Sequence, residues 1–339
     1  MAENFWEGKP VLVTGATGLL GGWLVPELAR RGAQVVALIR DGSPRSVLVQ
    51  EGWLNRIATI QGSLGDYGLI RRALAEYSVE TIFHLAAQTL VGIAKEDPIG
   101  TLEANVQGTW NLLEAARTTR RCQVLVASSD KAYGEPKSLP YREDHPLYGK
   151  YPYDVSKSCV DLISLMYATT YKLPVGIVRC GNLFGGGDLN FSRSIPGLIL
   201  STLRGERFQI RSDGHYVRDF LYVEDAAAAY MLLAEKMAAD ESLIGEAFNF
   251  SLESRLTVLQ LVDLVLHMMN RTDLKPVILN QASGEVREQY LTAEKAKKVL
   301  GWSPQCSMEE GLRRSIEWYQ AYLEKVEAVK DIPRQAVGV

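Results

Sequence analysis

The stretch Val11-Leu-Val-Thr-Gly-Ala-Thr-Gly-Leu-Leu-Gly21 decides the fold class of this 339-residue chain. An apolar run, Pro10–Thr14, leads into three glycines with the spacing Gly15-x-x-Gly18-x-x-Gly21, and a helical pattern follows over residues 23–31. Glycines at this spacing let the backbone turn tightly and approach a pyrophosphate, which then faces the positive end of the helix. Because the glycines lie between a strand and a helix, the stretch predicts dinucleotide binding.

Short apolar runs alternate with helical patterns through the first 180 residues. Such alternation is typical of crossover units, which build a parallel sheet covered by helices on both faces. We therefore predict a doubly wound α/β (Rossmann) domain over residues 1–180. The predicted strands lie at residues 10–14, 34–39, 59–61, 81–86, 123–128 and 175–179, with helices at 23–31 and 70–77 among them.

After residue 180 the pattern loosens into isolated strands near 208–210 and 247–250 and amphipathic helices near 258–269 and 308–328. These pieces are too dispersed for an independent core. We expect residues 181–216 and 251–330 to form a smaller substrate-binding lobe, with segments of 217–250 returning to the first domain and 331–339 forming a tail. The cleft between the lobes is the expected site.

Composition favours a small-molecule partner. The chain has 37 Lys and Arg against 40 Asp and Glu, a net charge of −3 and no polybasic block, which argues against nucleic acid or an anionic membrane as partner. No run approaches the ~18 apolar residues of a membrane span, and no apolar signal core begins the chain, so we expect a cytoplasmic protein. The cysteines and the four histidines lack metal spacing, and no metal site is predicted. The cysteines, which we interpret as packing residues, are Cys122, Cys159, Cys180 and Cys306.

Tyr153-Asp-Val-Ser-Lys157 is a candidate catalytic pair. Residues four apart on a helix share one face, so the ammonium group can sit beside the phenol. For Tyr153 to act as a base near neutrality, the pKa of its phenol must fall by roughly 3 units, which corresponds to ~4 kcal/mol. A lysine within ~4–6 Å, helped by a cationic nicotinamide ring, can supply much of that lowering. The alternative is a chance spacing on an ordinary helix.

The end of the second predicted strand bears on which dinucleotide binds. Ile39 stands where an acidic residue usually holds the adenosine ribose 2′-hydroxyl, and Arg40 follows it. An arginine there suits a 2′-phosphate, so the residues favour NADP over NAD. A solvated surface arginine is the alternative.

With these pieces in place, the chain resembles the extended short-chain dehydrogenase/reductase family that modifies nucleotide sugars. Within that family, the chain is similar to the CDP-glucose 4,6-dehydratase group over residues 4–9, 83–88 and 181–188. The chain differs from that group at three positions: Ser129 replaces the usual threonine, Ser63 the usual acidic residue and Leu20 the usual lysine. The motifs that carry the family resemblance are the glycine turn, His84-Leu-Ala-Ala87-Gln, Asn105-Val-Gln-Gly-Thr109, Ser128-Ser-Asp-Lys131, Tyr153-x-x-x-Lys157, Arg179-Cys-Gly-Asn182, Arg218-Asp-Phe and Arg287-Glu-Gln-Tyr290.

The resemblance implies a set of binding residues at matching positions. The implied NAD(P) residues are Gly15, Thr17, Gly18, Leu19, Leu20, Gly21, Arg40, Ser63, Leu64, Ala86, Ala87, Gln88, Asn105, Tyr153, Lys157 and Cys180. The implied substrate residues are Gln88, Ser129, Asn182, Arg193, Arg218 and Arg287, of which the arginines suit a nucleotide diphosphate.

The resemblance also implies a reaction. Tyr153, assisted by Ser129 and Lys157, takes the proton of the sugar 4-hydroxyl as C4 is oxidised. Asp130 and Lys131 then share the removal of the C5 proton and the expulsion of the 6-hydroxyl, and hydride returns to C6. The product is a 4-keto-6-deoxy sugar, made from CDP-glucose or a similar nucleotide sugar. Alternatively, Asp130 and Lys131 form an ordinary ion pair in a solvated turn.

Other functions remain open from the sequence. A 4-epimerase needs only the Ser-Tyr-Lys unit, and an NADP-dependent reductase or a non-catalytic dinucleotide sensor would use the same fold. The helices over 105–116 and 153–171 resemble those that pair in a four-helix contact in this family, so we expect a homodimer.

Overall fold

A parallel β-sheet forms the centre of the protein, whose computed structural model describes residues 5–43, 46–119, 122–135, 138–282 and 285–328. Seven strands pair in the order β11-β6-β5-β4-β1-β2-β3, and all of these pairs are parallel. In chain order, the strands are β1 (Pro10–Thr14), β2 (Gln34–Ile39), β3 (Ala58–Gln61), β4 (Thr81–His84), β5 (Gln123–Ala127), β6 (Val175–Cys180), β7 (Asn182–Phe184), β8 (Gln209–Ile210), β9 (Val217–Arg218), β10 (Phe220–Tyr222), β11 (Ala247–Phe250), β12 (Leu256–Thr257) and β13 (Val277–Ile278).

Helices cover both faces of this sheet. Residues of α1 and α9 share one buried apolar cluster with one face of the sheet, and residues of α3, α6 and α7 share another with the opposite face. The predicted doubly wound α/β fold is therefore confirmed. The α-helices are α1 (Leu19–Arg30), α2 (Val47–Gln50), α3 (Tyr67–Glu76), α4 (Val91–Glu96), α5 (Pro98–Leu102), α6 (Gly108–Thr119), α7 (Pro152–Tyr171), α8 (Ser194–Leu203), α9 (Val223–Ala239), α10 (Val258–Met268) and α11 (Met308–Ala328).

Three element boundaries near the expected site differ from the prediction. Helix α1 begins at Leu19, immediately after the glycine turn, and not at residue 23. Helix α3 begins three residues earlier than predicted because the Asp66 carboxylate accepts a hydrogen bond from Leu69 N at 2.9 Å and so caps the helix. Strand β4 ends at His84, two residues early, which leaves 85–90 as a loop above the carboxyl end of the sheet.

A separate apolar cluster lies beyond the sheet and is built mainly from α8, α10 and α11. Small strand pairs accompany it: β7 with β10 and β8 with β13 are parallel, and β9 with β12 is antiparallel. A capping box at Thr257 and Gln260 starts α10. Strand β11, although late in the chain, lies beside β6 in the main sheet. The predicted tail, 331–339, lies outside the described residues.

The direction of the chain along the sheet reverses between β1 and β4, because β2 and β3 extend to one side of β1 and the later strands to the other. Ligands of open α/β sheets bind in the crevice at this point, beyond the carboxyl ends of the strands. The loops after β1, β4 and β5 all open there. Within the described ranges, no helix combines the length and apolar character that crossing a membrane requires.

Candidate active site

The glycine turn after β1 leaves a space that only glycine can line. Gly15 has a φ of +72°, and a Cβ on it would lie 2.7 Å from the backbone nitrogen of Ala86. A Cβ on Gly21 would lie 2.3 Å from the carbonyl oxygen of Gly15. Gly18 is the N-cap of α1 and has no side chain to cap it, so the first amides of α1 are available to an anion. This cradle fits the pyrophosphate of a dinucleotide.

The other residues predicted at the cofactor site line up along the carboxyl ends of the strands. Thr17, Leu19, Ala86 and Ala87 are half-buried beside the glycine turn. The side chain of Leu20 is buried in the core, so only its backbone can face a ligand.

Three further predicted cofactor residues follow β2 and β3, at the edge of the sheet. Arg40 is exposed, and its Nε lies 2.6 Å from the Asp41 carboxylate. Ser63 accepts a hydrogen bond from Gly65 N in a turn, and Leu64 lies against Gly108.

Asn105 connects the loop after β4 to the helix that carries the catalytic pair. Its Oδ1 accepts from Gln88 N at 2.7 Å, and its Nδ2 donates to Gln88 O and to Ser156 Oγ. The Gln88 side chain is bonded to Leu90 in its own loop and to Thr101 on α5. Asn105 therefore fixes backbone in this structure, and the Gln88 side chain would have to leave its partners to reach a ligand.

His84 is a structural residue, as the sequence suggested. It is 3% exposed, and both ring nitrogens are bonded, to Thr14 Oγ1 and Thr109 Oγ1, each at 2.9 Å. Burial, with the nearby charge of Lys157, lowers its pKa to about 3. The ring is neutral and ties β1 and β4 to α6 directly below the crevice.

The structure brings Ser129, Tyr153 and Lys157 together at the carboxyl end of β5. Tyr153 and Lys157 lie on the first turns of α7, which starts at Pro152, a residue suited to the first helical position. The Lys157 Nζ lies 5.9 Å from the centre of the Tyr153 ring and donates to Ala127 O at 2.7 Å. Ser129 lies in extended backbone after β5, close enough to the Tyr153 phenol to lower its pKa.

Together, the protein's own groups do not lower the pKa of Tyr153, so the lowering expected from the spacing would need the cationic nicotinamide ring as well. Burial raises that pKa, and the carboxylate of Asp130 adds to the rise, while Arg193 and Ser129 oppose it. Burial also lowers the pKa of Lys157 to about 8, although the Asp161 carboxylate acts in the opposite direction. Desolvation is the largest cause acting on the pKa of each of the two groups.

Asp130 is the most unusual polar group of the site. It is 2% exposed; its Oδ1 accepts from Ser129 Oγ at 2.9 Å, and its Oδ2 is buried with no hydrogen-bond partner in the structure. Buried carboxylate oxygens are normally paired, because desolvation without a partner costs several kcal/mol. Its charge raises the pKa of Tyr153, Asp154 and Cys180, which places it at the centre of the crevice.

Lys131 is half-buried beside Asp130, but its ammonium group is bonded elsewhere. The short 3-10 helix Asp130–Tyr133 turns the chain so that Lys131 Nζ donates to Gln289 Oε1 at 3.2 Å. Gln289 lies within the motif at 287–290, but nothing in the sequence marks it as a functional residue.

Asp154, next to Tyr153 on α7, is a further buried acid of the site. It is 4% exposed, and burial raises its pKa to about 6, with Lys131 lowering it and Asp130 raising it. An acidic residue beside the tyrosine was the only available signal in the sequence.

A buried ion pair supports the loop over residues 128–133, which carries the candidate catalytic residues, from below. Arg179 NH2 lies 2.6 Å from Asp161 Oδ1, with side-chain exposures of 6% and 1%. Ser128 Oγ donates to Asp161, and Arg179 NH1 donates to Tyr133 OH at 2.7 Å. Burial alone would lower the pKa of Arg179, but the Asp161 carboxylate raises it above its ordinary value. Residues 128 and 133, at the ends of this loop, are thereby fixed.

The predicted substrate residues lie in two groups. Arg193, at the start of α8, pairs with Asp188 at 2.9 Å and donates to Thr89 Oγ1, and its charge acts on Tyr153. It therefore borders the catalytic residues. Asn182 follows β6 and donates to Asp219 O at 3.1 Å, which fixes a loop.

Arg218 and Arg287 form the second group, around the ring of Tyr216. Their guanidinium carbons lie 5.4 and 5.8 Å from its centre. Arg218 pairs with Glu285 at 3.1 Å, and Arg287 pairs with Asp213 at 2.8 Å. Both arginines have carboxylate partners that a phosphate would have to displace.

Comparisons with known proteins agree with this geometry. A model of the family described as GDP-mannose 4,6 dehydratase matches residues 12–315. The CDP-glucose 4,6-dehydratase of Salmonella typhimurium is 32% identical over 337 residues, which span 95% of this chain and 93% of the relative.

Solved structures are similar over nearly the whole chain. The UDP-glucose 4-epimerase of Thermotoga maritima, solved with UDP-glucose, superposes with a TM-score of 0.83 at 29% identity, covering 93% of this chain and 99% of the epimerase. The dTDP-glucose 4,6-dehydratase of Streptomyces venezuelae, solved with NAD bound, gives 0.83 at 27% identity, covering 95% and 100%. The resemblance seen in the sequence motifs is confirmed. This chain belongs to the GDP-mannose 4,6 dehydratase family, within the extended short-chain dehydrogenase/reductases.

Proposed function

We propose that this protein is a nucleotide-sugar 4,6-dehydratase that converts CDP-glucose, or a similar nucleotide hexose, into the 4-keto-6-deoxy sugar. The observation that carries the proposal is the Asp130 carboxylate, whose Oδ2 is buried and unpartnered next to Ser129 and Tyr153. A buried carboxylate oxygen without a partner is costly unless a ligand completes it. The 32% identity to a CDP-glucose 4,6-dehydratase supports the same reaction.

NAD(P) is the cofactor of this proposal, held by the glycine cradle and by Lys157 at its nicotinamide end, where Asn105 fixes the backbone of Gln88. When bound, the nicotinamide accepts a hydride from C4 of the sugar and returns one to C6. Lys157 carries a positive charge below pH about 8, so it can stabilise a phenolate on Tyr153. Since burial raises the pKa of Tyr153, the second positive charge of the oxidised nicotinamide is needed to make this tyrosine a base.

In the oxidation step, Tyr153 takes the proton of the sugar 4-hydroxyl while Ser129 hydrogen-bonds the same oxygen. Oxidation at C4 makes the C5 proton acidic. Asp130 and Lys131 then share the elimination: one removes the C5 proton and the other donates a proton to the departing 6-hydroxyl. The alternation of side chains along a strand would point these two residues apart, but the 3-10 turn that starts at Asp130 allows both to serve one sugar.

We assign the diphosphate of the substrate to Arg193, Arg218 and Arg287, and a phosphate or sugar hydroxyl to Asn182. Arginine gives bidentate contacts to phosphate, and the partners these arginines hold now are mostly half-exposed carboxylates that a phosphate can replace. The smaller lobe over 181–216 and 251–330 would then bind the nucleotide.

We further propose that Arg40 makes the protein prefer NADP. Its present partner is the Asp41 carboxylate, but both side chains are about two-thirds exposed. Such a pair contributes ~0–1 kcal/mol, so a 2′-phosphate can displace the carboxylate. Dissociation constants for NADP and NAD, measured by fluorescence quenching in the wild type and in Arg40→Ala, test this. A wild-type preference for NAD, unchanged in the variant, would remove Arg40 from the site.

The apolar surface of α5, α6 and α7 supports a homodimer. These helices pack together, and they leave large apolar side chains exposed: Ile99 at 70%, Trp110 at 44% and Leu162 at 56%. A contiguous exposed apolar surface of this kind marks an interaction site. We propose that the same surface of a second copy covers it through a four-helix contact.

The test of the reaction is incubation with CDP-, UDP-, GDP- and dTDP-glucose followed by mass spectrometry. A dehydratase gives loss of water, whereas the alternative 4-epimerase, supported by the similarity to the Thermotoga enzyme, gives equal mass with altered stereochemistry. Asp130→Asn should lower the rate of water loss by ~10²-fold or more and leave hydride exchange at C4 intact. Asp144→Asn, on an exposed carboxylate, is the matched control. Unchanged product formation by Asp130→Asn refutes the proposed role.

A further inference from the structure

Gln289 makes a contact with the catalytic loop that the reaction described above does not explain. It is 3% exposed, yet it lies on the segment before Ala293 that also carries the exposed Arg287. Its Oε1 accepts the hydrogen bond of Lys131 Nζ at 3.2 Å across 158 positions of sequence. A buried neutral amide is therefore the bonded partner of the ammonium group assigned to the elimination.

The backbone around Gln289 is fixed on both sides. Gln289 N donates to Val217 O at 3.1 Å, and Val217 N donates to Arg287 O at 3.0 Å. On the other side, Tyr141 N donates to Tyr290 O at 2.9 Å. An acceptor held in this way can define the position of a flexible side chain.

Lys131 needs such an acceptor. Its ammonium group ends a four-carbon stem with free rotation, and the carboxylates of Asp130 and Asp154 are close enough to influence the site. Within the described part of the chain, Lys131 forms no salt bridge; its one side-chain hydrogen bond is to Gln289. A neutral acceptor holds the ammonium without adding another negative charge, so the Asp130 Oδ2 stays free for substrate.

We infer that Gln289 is a positioning residue for Lys131, which it holds at the place where the sugar 6-hydroxyl or C5 proton is transferred. The inference rests on the proposed dehydratase function. It separates the two halves of the reaction: Gln289 acts on the elimination through Lys131, whereas Ser129, Tyr153 and Lys157 carry out the oxidation without it.

The test uses Gln289→Met, which keeps the length and removes the acceptor, and Gln289→Glu, which keeps an acceptor oxygen. Glu288→Ala, an exposed neighbour on the same segment, is the control. With CDP-glucose as the probe, and the UDP-, GDP- and dTDP-glucose panel beside it, we expect Gln289→Met to lose ~10-fold or more in kcat for water loss. Reduced nicotinamide should accumulate during turnover, since oxidation continues, and KM should stay within ~2-fold.

Gln289→Glu should recover at least part of the lost kcat, and Glu288→Ala should behave as the wild type. Wild-type kcat in Gln289→Met overturns the inference. An equal loss of oxidation and elimination, without accumulation of reduced cofactor, also overturns it, because a merely structural role would produce that result.

A second measurement needs no substrate. Competitive amine labelling of the full-length protein, read out at Lys131 by mass spectrometry, should be faster in Gln289→Met than in the wild type and slower again in Gln289→Glu. If the wild type releases no water from any of the four sugars, the proposed function fails, while the labelling of Lys131 still decides whether Gln289 positions it. Labelling that is identical in all variants contradicts the inference.

Discussion

The buried pair Asp161–Arg179 gives a prediction whose size follows from the structure. Asp161 accepts from Arg179 through both oxygens, at 2.6 and 3.1 Å, and from Ser128 Oγ. The side chains are 1% and 6% exposed. Asp161→Asn keeps the shape of the side chain and removes its charge, so the buried guanidinium loses the carboxylate with which it pairs.

Removing one partner of a buried ion pair typically costs ~3–5 kcal/mol. We expect Asp161→Asn to lose free energy of unfolding in this range, because the guanidinium is too deeply buried for water to replace the carboxylate. Glu310→Gln is the control: it breaks the pairs of Glu310 with Arg313 and Arg314, whose side chains are 35–50% exposed, and should change the free energy of unfolding far less, because water screens these pairs.

Urea denaturation of the wild type and both variants, followed by circular dichroism at neutral pH, measures the difference. Asp161→Asn should also lower the rate of sugar conversion, because Ser128 and Tyr133 anchor the catalytic loop through this pair. The reasoning is refuted if Asp161→Asn loses less than ~1 kcal/mol, or no more than the exposed control loses.

Three further predictions concern the cofactor cradle, the acidic neighbour of the catalytic tyrosine and the apolar helix surface. Gly21→Ala should abolish cofactor binding in fluorescence titrations, since its Cβ would lie 2.3 Å from Gly15 O, whereas Gly22→Ala meets its nearest atom at 3.7 Å and should bind normally. The folded pKa of Asp154, about 6, lies above its ordinary 3.8, so the folded state loses stability as pH rises through that window. At neutral pH, Asp154→Asn should therefore have a larger free energy of unfolding than the wild type, by up to ~3 kcal/mol, and a higher melting temperature. This gain should vanish near pH 4, and a gain independent of pH contradicts the prediction. Leu162→Glu, at a side chain 56% exposed, should convert a dimer into a monomer in sedimentation at low micromolar concentration, and an unchanged sedimentation coefficient argues against the proposed contact.

The sequence was sufficient for the fold class because its signals are local. A strand that runs into Gly15-x-x-Gly18 and then into a helix encodes the first crossover unit within about twenty residues, and the alternation of strands and helices repeats it. The pairing of β11 with β6 in the main sheet could not be predicted in this way. Its register depends on contacts across the whole protein, which periodicity does not record.

For the site, the sequence identified the residue types at their positions but not their partners. Tyr153 and Lys157 are on one helix face because of their spacing, and the structure places Ser129 against the same tyrosine. The effect of burial on the pKa of Tyr153 could not be predicted from spacing, because desolvation depends on how deeply the residue is buried, and burial is a property of the packed molecule.

The sequence by itself therefore determined the parallel sheet, the glycine cradle and the Tyr-Lys pair, since each depends on backbone geometry or on spacing along one element. Only the tertiary structure decided that Asp130 Oδ2 is unpartnered and that Lys131 is held by Gln289. The physical reason is that desolvation and hydrogen bonding act between atoms brought together by folding, here across 158 positions of sequence.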